Sequence, residues 1–260
     1  MIHFILPIYN EKENLFGLIN GIRRAMVGRV YRIVAVDDGS SDGSLELLRE
    51  LRKDDLVIIG SIMNMNVGAV FSAGIYKALE GAVDDDVIVI MESDQTSEQE
   101  LVLSMVDRIL SDKADVVVAS RYILGGGYAN FPLSRLVFSY CANRLLRVFF
   151  PIAGVHDYTI FFRAYRAGVL KKASEYFGPF GLIQFKGFVA NAELLIKLAF
   201  FTKRITEVPF VYNYAKKKGT SKINIVCTIN EYFALFNYMR RIFKKVGDFK
   251  KRSNTQGFLI

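Results

Sequence analysis

Four acidic side chains in two tight groups are the residues of this 260-residue chain best suited to chemistry. Asp37 and Asp38 stand together before a Gly-Ser-Ser turn, and Glu92 and Asp94 flank Ser93. Adjacent carboxylates accept hydrogen bonds from a base N–H or from ribose hydroxyls, and Glu11 is a further candidate for the ribose. An acid-x-acid triplet suits a hard divalent cation, Mg2+ or Mn2+, which takes few protein carboxylates and completes its shell with water and phosphate oxygens. Such an ion stabilises the charge that develops on a departing diphosphate. Both groups also have plainer uses. An Asp after a strand caps the next helix, a task Asp42 could take instead, and acidic triplets occur in many solvated loops.

What positions these groups is an alternation of elements. Short β-branched runs at 2–7, 31–36, 56–59, 87–91 and 116–119 read as strands. Between them, Leu15, Leu18, Ile19, Ile22 and Met26 mark one helical face. Leu45, Leu48 and Leu51 mark a second, and Val102, Met105, Val106, Ile109 and Leu110 another. Residues 67–80 supply the remaining helix, with Gly68 and Gly74 allowing close approach. Alternation of this kind predicts an α/β fold with a mostly parallel central sheet and helices on both faces. Ligands of such sheets sit beyond the carboxyl ends of the strands, where this chain places Tyr9-Asn10-Glu11, Asp37-Asp38, residues 64–66, Glu92-Ser93-Asp94 and Ser120-Arg121-Tyr122.

After Gly125-Gly126-Gly127, read as a mobile loop, the pattern changes. Residues 133–150 form an aromatic and basic helix, 158–162 a short strand, 188–201 an amphipathic helix and 205–214 a late strand. The basic turn Lys216-Lys217-Lys218-Gly219 follows. Residues 225–243 are again helical and aromatic, and they run into a basic tail.

Composition narrows the class. Apolar residues at 52% and a net charge of +8 suit a folded protein with polyanionic partners. Cys141 and Cys227 lie in apolar segments and read as buried, reduced core residues. The strand-like start is not a signal peptide. No window reaches the ~18 uninterrupted apolar residues that a spanning helix needs. There is no G-x-x-x-x-G-K-[ST], and no G-x-G-x-x-G after the first strand, so kinase-type and dinucleotide-binding readings lose support. With two histidines, His3 and His156, zinc and histidine-triad chemistry are disfavoured.

Residues 5–15, ILPIYNEKENL, with Val36-Asp37-Asp38-Gly39-Ser40-Ser41-Asp42-Gly43-Ser44 resemble the opening of the family 2 glycosyltransferases, which have the GT-A fold. Ser120-Arg121-Tyr122, Ser134-Arg135, Asp157-Tyr158-Thr159, Glu207-Val208-Pro209 and Gly219-Thr220-Ser221-Lys222 resemble the dolichol-phosphate mannosyltransferase branch. Asn66-Val67-Gly68 is similar to bacterial polyprenyl-phosphate relatives. The resemblance spans residues 2–223. It implies a GT-A catalytic domain over 1–223, with an amphipathic helix and basic tail over 224–260.

It implies roles as well. Pro7, Tyr9, Glu11, Asp37 and Asp38 would cradle the nucleoside of a nucleotide-sugar donor, with Asn66, Gly68 and Ser93 beside it. Glu92 and Asp94 would hold Mg2+ or Mn2+, and Arg121, Arg135 and Lys222 would meet donor or acceptor phosphates. Three positions depart from the family pattern: Glu92 replaces its first aspartate, Thr96 a glutamine found in some relatives, and Lys216 an arginine.

The implied reaction is inverting transfer of a sugar to a polyprenyl phosphate, dolichyl or undecaprenyl. A phosphomonoester is already mostly dianionic at pH 7 and needs no base. Cations then hold the two phosphorylated partners together, with Lys216, Lys217, Lys218, Arg121, Arg135, Arg144 and Arg147 suited to the task. Asp157 is the candidate base if the acceptor is instead a sugar hydroxyl of a cell-surface polysaccharide. A third reading is a catalytically silent sugar-nucleotide-binding protein. Nucleic acid is disfavoured, because aromatic and basic residues gather in late helices and not on a sheet face. Those helices suit the headgroup layer, which places the protein peripherally at the cytoplasmic face of a membrane. Nothing in the sequence speaks to oligomeric state.

Overall fold

The computed structural model of the chain describes residues 1–178, 181–216 and 225–255, with side chains of the last helix over 227–244. The chain divides into two compact units, Met1–Ser221 and Lys222–Ile260. The first runs β1 (Ile2–Ile8), α1 (Lys12–Ala25), β2 (Tyr31–Asp37), α2 (Ser44–Glu50), β3 (Leu56–Gly60), α3 (Val67–Leu79), β4 (Val87–Ile90), α4 (Gln99–Leu110) and β5 (Val116–Ser120). It continues through β6 (Gly127–Ala129), α5 (Leu133–Phe149), β7 (Arg163–Arg166), α6 (Ala167–Phe177), α7 (Ala190–Leu198), β8 (Ile205–Pro209), β9 (Val211–Asn213) and a 3₁₀ turn at Tyr214–Lys216. The second holds α8 (Ile225–Thr255).

Seven strands form one sheet in the order β3-β2-β1-β4-β7-β5-β8. Every neighbouring pair is parallel except those of β7, which runs antiparallel between β4 and β5. The sheet is therefore mixed and mostly parallel, flanked by helices. Its strands are apolar almost throughout because both faces are covered; β4 and β5 are buried at every position. A second, two-stranded sheet pairs β6 with β9.

Helix α1 buries the expected Leu15, Leu18, Ile19 and Ile22. In α2 only Leu48 of the marked leucines is fully buried, and in α4 Leu110 faces solvent. Helix α3 lies on β1 and β2, where a Cβ at Gly74 would stand 2.4 Å from Ile5 Cγ2. That glycine sets how closely the helix rests on the sheet.

The later half departs from expectation for physical reasons. Residues 158–162 are not a strand, because side chains hold their backbone groups: Tyr158 N–H donates to Asn143 (2.6 Å), and Tyr158 C=O accepts from Arg163 (2.7 Å). Ile160 N–H donates to Asp157 and its carbonyl accepts from Asn191. The strand comes one step later, as β7. Residues 205–214 break at Phe210, whose N–H donates to Ser120 O and whose carbonyl accepts from Gly127 N. The chain thereby passes from one sheet to the other.

The triple glycine is a tight turn, with Gly126 N–H bonded to Ile123 O at 2.9 Å. Helix α7 is buried on every side and not amphipathic. Helix α6 follows β7 directly and has no counterpart in the sequence reading. Cys141 and Cys227 form no disulfide among the described residues, as expected, but both are exposed and not in the core. The basic residues after 243 continue α8 as helix.

Replacing Gly74 with Ala is expected to destabilise the protein by about 1–3 kcal/mol, because the methyl meets Ile5 inside the core. Urea unfolding of the two forms checks it; an unchanged midpoint would remove Gly74 as the determinant of this packing.

Candidate functional site

The register of three strands brings the two acidic groups together. Ile8 of β1 pairs with Asp37 of β2, and Ile5 pairs with Ile90 of β4. Met91 N–H still donates to Ile5 O (3.2 Å), so carrying the register on sets Ser93 level with Ile8. Asp37 thus ends β2, and Ser93 lies three residues past the end of β4, the two strands that flank β1. Pro7 and Ile8 close β1 between them, and Tyr9 and Glu11 follow it.

The loops at this edge hold one another. Asn10 N–H donates to Ser40 Oγ (2.9 Å), Ser41 N–H returns a bond to Asn10 Oδ1 (2.8 Å), and Glu11 N–H donates to Ser44 Oγ (2.9 Å). Asp37 Oδ2 accepts from Ser40 N–H at 3.1 Å. Asp38 Oδ1 accepts from Met65 N–H at 2.6 Å, tying the segment before α3 to β2. Burial raises the Asp38 carboxyl above its ordinary range, against the hydrogen bonds from Met65 and Asn66, and Asp37 adds to the rise. The other Asp37 oxygen, Oδ1, is buried with no hydrogen-bond partner among the described residues, and so is the Ser93 hydroxyl. Unpaired buried groups of this kind cost about 1–3 kcal/mol each, which a bound donor or acceptor recovers.

Around Glu92 and Asp94 the loop is bonded internally. Thr96 donates to Asp94 Oδ1 through its N–H (3.2 Å) and its hydroxyl (2.5 Å). The Ser97 hydroxyl accepts from Glu92 N–H (3.3 Å) and donates to Glu92 Oε2 (3.2 Å). Gln95 anchors the loop to α1 through Asn14 O (3.1 Å). Among the described residues no three His, Cys, Asp or Glu side chains form a metal cage. A pair of carboxylates still suits Mg2+, which takes few protein ligands and fills its other positions with water and phosphate oxygens.

Arg121 and Asp157 form a bidentate ion pair, both contacts at 2.7 Å, with the Asp157 side chain fully buried. The Arg121, Thr159 and Ile160 amides also donate to this carboxylate. Burial alone would raise the Asp157 carboxyl; the adjoining guanidinium overrides it and holds the group below the usual range. Such a carboxylate is a weak base. Glu207 supports the pair from behind, accepting from the His156 and Asp157 amides at 2.8 Å each and from His156 Nδ1 at 2.9 Å.

Aromatic residues that the sequence reading assigned no role connect these parts. Burial raises the Tyr212 hydroxyl strongly, and the Glu92 and Asp94 charges add to that, while Thr96 and Arg121 act the other way. Tyr212 of β9 therefore lies within electrostatic reach of Glu92, Asp94 and Arg121. The Arg121 guanidinium lies 5.1 Å from the Tyr128 ring centre, within cation–π range. Arg135 donates to the Tyr214 hydroxyl (3.2 Å), and Lys216 reaches Glu98 at 2.9 Å, just past the acidic loop.

Not every candidate joins the cluster. Asn66 and Gly68 sit at the start of α3, beside Asp38. Arg144 lies half a turn round α5 from Arg135, and both it and Arg147 are exposed, so neither belongs with the inward cations. Lys217, Lys218 and Lys222 lie outside the described residues.

Residues 3–173 match the sequence profile of Glycosyl transferase family 2. The chain is 31% identical over 229 residues to the polyprenol monophosphomannose synthase of Mycolicibacterium smegmatis, covering 85% of this chain and 80% of that one. It is 30% identical over 242 residues to the dolichol-phosphate mannosyltransferase of Pyrococcus furiosus, covering 92% of this chain but 62% of the longer relative. Its fold matches glucosyl-3-phosphoglycerate synthase from Mycobacterium tuberculosis with a TM-score of 0.62 at 17% identity, over 91% of this chain and 76% of that one. That enzyme has been crystallised with UDP and Mn2+ and with UDP and Mg2+. The fold is GT-A.

Asp157→Asn leaves the buried Arg121 charge uncompensated and is expected to cost about 3–5 kcal/mol. Because the folded pKa lies below the unfolded value of ~3.9, the pair stabilises at neutral pH and loses that stabilisation as pH falls below ~4. Urea unfolding at pH 7 and pH 3 reads both effects: the gap between wild type and Asp157→Asn should narrow in acid. An equal gap at both pH values would contradict the pairing.

Proposed function

The chain belongs to glycosyl transferase family 2, and from that membership we propose that it transfers a sugar, with inversion, from a nucleoside diphosphate donor to a polyprenyl phosphate. The observation that carries the proposal is the pair of orphaned buried groups, Asp37 Oδ1 and Ser93 Oγ, on either side of β1 at the carboxyl edge. Pro7, Tyr9, Glu11, Asp37 and Asp38 bind the nucleoside, with Asn66 and Gly68 alongside. Glu92 and Asp94 hold Mg2+ or Mn2+, which when bound neutralises the diphosphate leaving group. Ser93 donates its hydroxyl to the donor.

The acceptor follows from charge and pKa. A lipid phosphate is a ready nucleophile at neutral pH. A sugar hydroxyl needs a base, and Asp157 is committed to Arg121. Lys216, which reaches Glu98 just past the acidic loop, and Arg135 of α5 meet the phosphates, with Lys222 assigned to the same task from the family pattern. Arg121, paired with Asp157, holds the end of β5 to the segment before β7.

A lipid acceptor requires access to a membrane surface. Helix α5 exposes Leu133, Val137, Tyr140, Leu145 and Val148, and Arg144 and Arg147 lie on the same exposed side. An apolar stripe flanked by cations suits the headgroup layer, and the basic end of α8 adds attraction to an anionic cytoplasmic leaflet. Among the described residues no helix is long and apolar enough to cross a membrane. The protein acts at the cytoplasmic face, where anionic lipid attracts the exposed Arg144 and Arg147 of α5.

The test is to incubate the purified protein with radiolabelled nucleotide sugars, polyprenyl phosphate and Mg2+ or Mn2+. Label passes into the organic phase, falls roughly 10²-fold or more in Asp94→Ala, and disappears with EDTA until excess metal is restored. Label found only on oligosaccharide rejects the lipid acceptor, and donor binding without turnover rejects the enzyme. Separately, Val137→Glu/Val148→Glu is expected to weaken sedimentation with anionic vesicles about tenfold or more while leaving the melting temperature unchanged. Equal sedimentation would reject α5 as the contact.

A further inference from the structure

Helix α7 contains two charged side chains that the sugar-transfer reading does not use. Glu193 and Lys197 are paired one turn apart, and neither side chain has any exposure. Two charges in an apolar helix are expensive to bury, so what they hold is informative. Glu193 accepts from Gln184 N–H through both carboxylate oxygens (3.1 and 2.9 Å) and from Phe185 N–H at 3.0 Å. Lys197 donates to Gly181 O (2.7 Å) and Leu182 O (3.3 Å). The pair thus satisfies the backbone of residues 181–185 from within.

That segment meets the start of α3. Lys186 O accepts from Gly68 N–H at 2.8 Å. A Cβ at Gly68 would stand 1.9 Å from Phe185 O, so only glycine allows the approach. From the other side Asp38 holds Met65 N–H, and Asn66 between them has a left-handed φ of 70°. Residues 65–68 are therefore gripped between Asp38 and the segment that Glu193 fixes.

We propose that Glu193 is a positioning residue of the donor site. Paired with Lys197, it fixes residues 181–186 as a wall that holds 65–68 in the conformation that receives the nucleotide. The inference rests on the sugar-nucleotide reading of this edge and adds a residue remote from the two acidic groups. Gln184 and Lys186 are exposed on the wall. The sequence signal is an acid and a lysine four apart in an otherwise apolar helix, a spacing that allows them to pair.

Amide hydrogen exchange on the wild-type chain, with GDP or UDP and Mg2+, tests it without a variant. Nucleotide binding should slow exchange at Gln184 and Phe185 together with 65–68. Protection at 65–68 alone overturns the inference and leaves the donor reading standing, whereas no binding of either nucleotide ends both. Two variants extend the test. Glu193→Met/Lys197→Met removes the charges as a pair and should raise the nucleotide Kd and the donor KM about tenfold, with kcat within about twofold. Glu193→Gln/Lys197→Met keeps an acceptor for the amides and should recover most of that affinity. A folded Met/Met variant with wild-type Kd would show the pair to be merely structural.

Discussion

Parallel pairing of β2, β1 and β4 forces two acidic groups to the same edge of the sheet. Two full charges ~10 Å apart at a partly buried surface repel by about 1.7 kcal/mol at an effective dielectric of ~20, and four carboxylates gather here. The protein answers with hydrogen-bond donors more than with cations: Ser40 N–H on Asp37, Met65 N–H on Asp38, and the Thr96 amide and hydroxyl on Asp94. It does not satisfy every group, and the remainder, Asp37 Oδ1 and Ser93 Oγ, flank β1. A divalent ion with a nucleotide, as proposed, would relieve both problems together, one by charge and the other by hydrogen bonds. Ligand binding and the stability of this edge are therefore linked.

The second half of the catalytic unit is organised by a different interaction, the buried Arg121–Asp157 pair. It joins the end of β5 to the segment before β7, and Glu207 of β8 braces it from behind. Stacking of Arg121 on Tyr128 then brings in β6 and α5. An arginine that family resemblance assigns to a phosphate is thus committed first to the fold. Its charge still reaches Tyr212.

Much of the first 120 residues was legible because each strand is a β-branched run and each helix carries a 3.6-residue stripe. Local pattern and global fold agree there, and the site residues follow from where the strands stop. The later half was hidden for a physical cause. β7 reads Arg163-Ala164-Tyr165-Arg166, and its buried Arg163 is tolerated because Asn191 O and Tyr158 O accept from it. No local pattern announces a charged residue satisfied by partners 28 and 5 positions away. The same holds for α7, where Glu193 and Lys197 mimic a polar face in sequence yet pair inside the core. Tyr212 escaped because its part depends on β9 leaving the main sheet at Phe210.

Helix α5 links the two requirements that a lipid acceptor would impose. Its inner side carries Arg135, Ser139 and Asn143, which bond to Tyr214, Tyr128 and Thr159 around the ion pair. Its outer side carries Leu133, Val137 and Val148 with Arg144. A helix with its side chains is ~10–12 Å across, so a phosphate held in the headgroup layer against the outer side would lie about one helix diameter from the inner groups. Arg135 lies in the first turn of α5, on the inner side. A single helix would then both rest on the lipid surface and face the site with its other side.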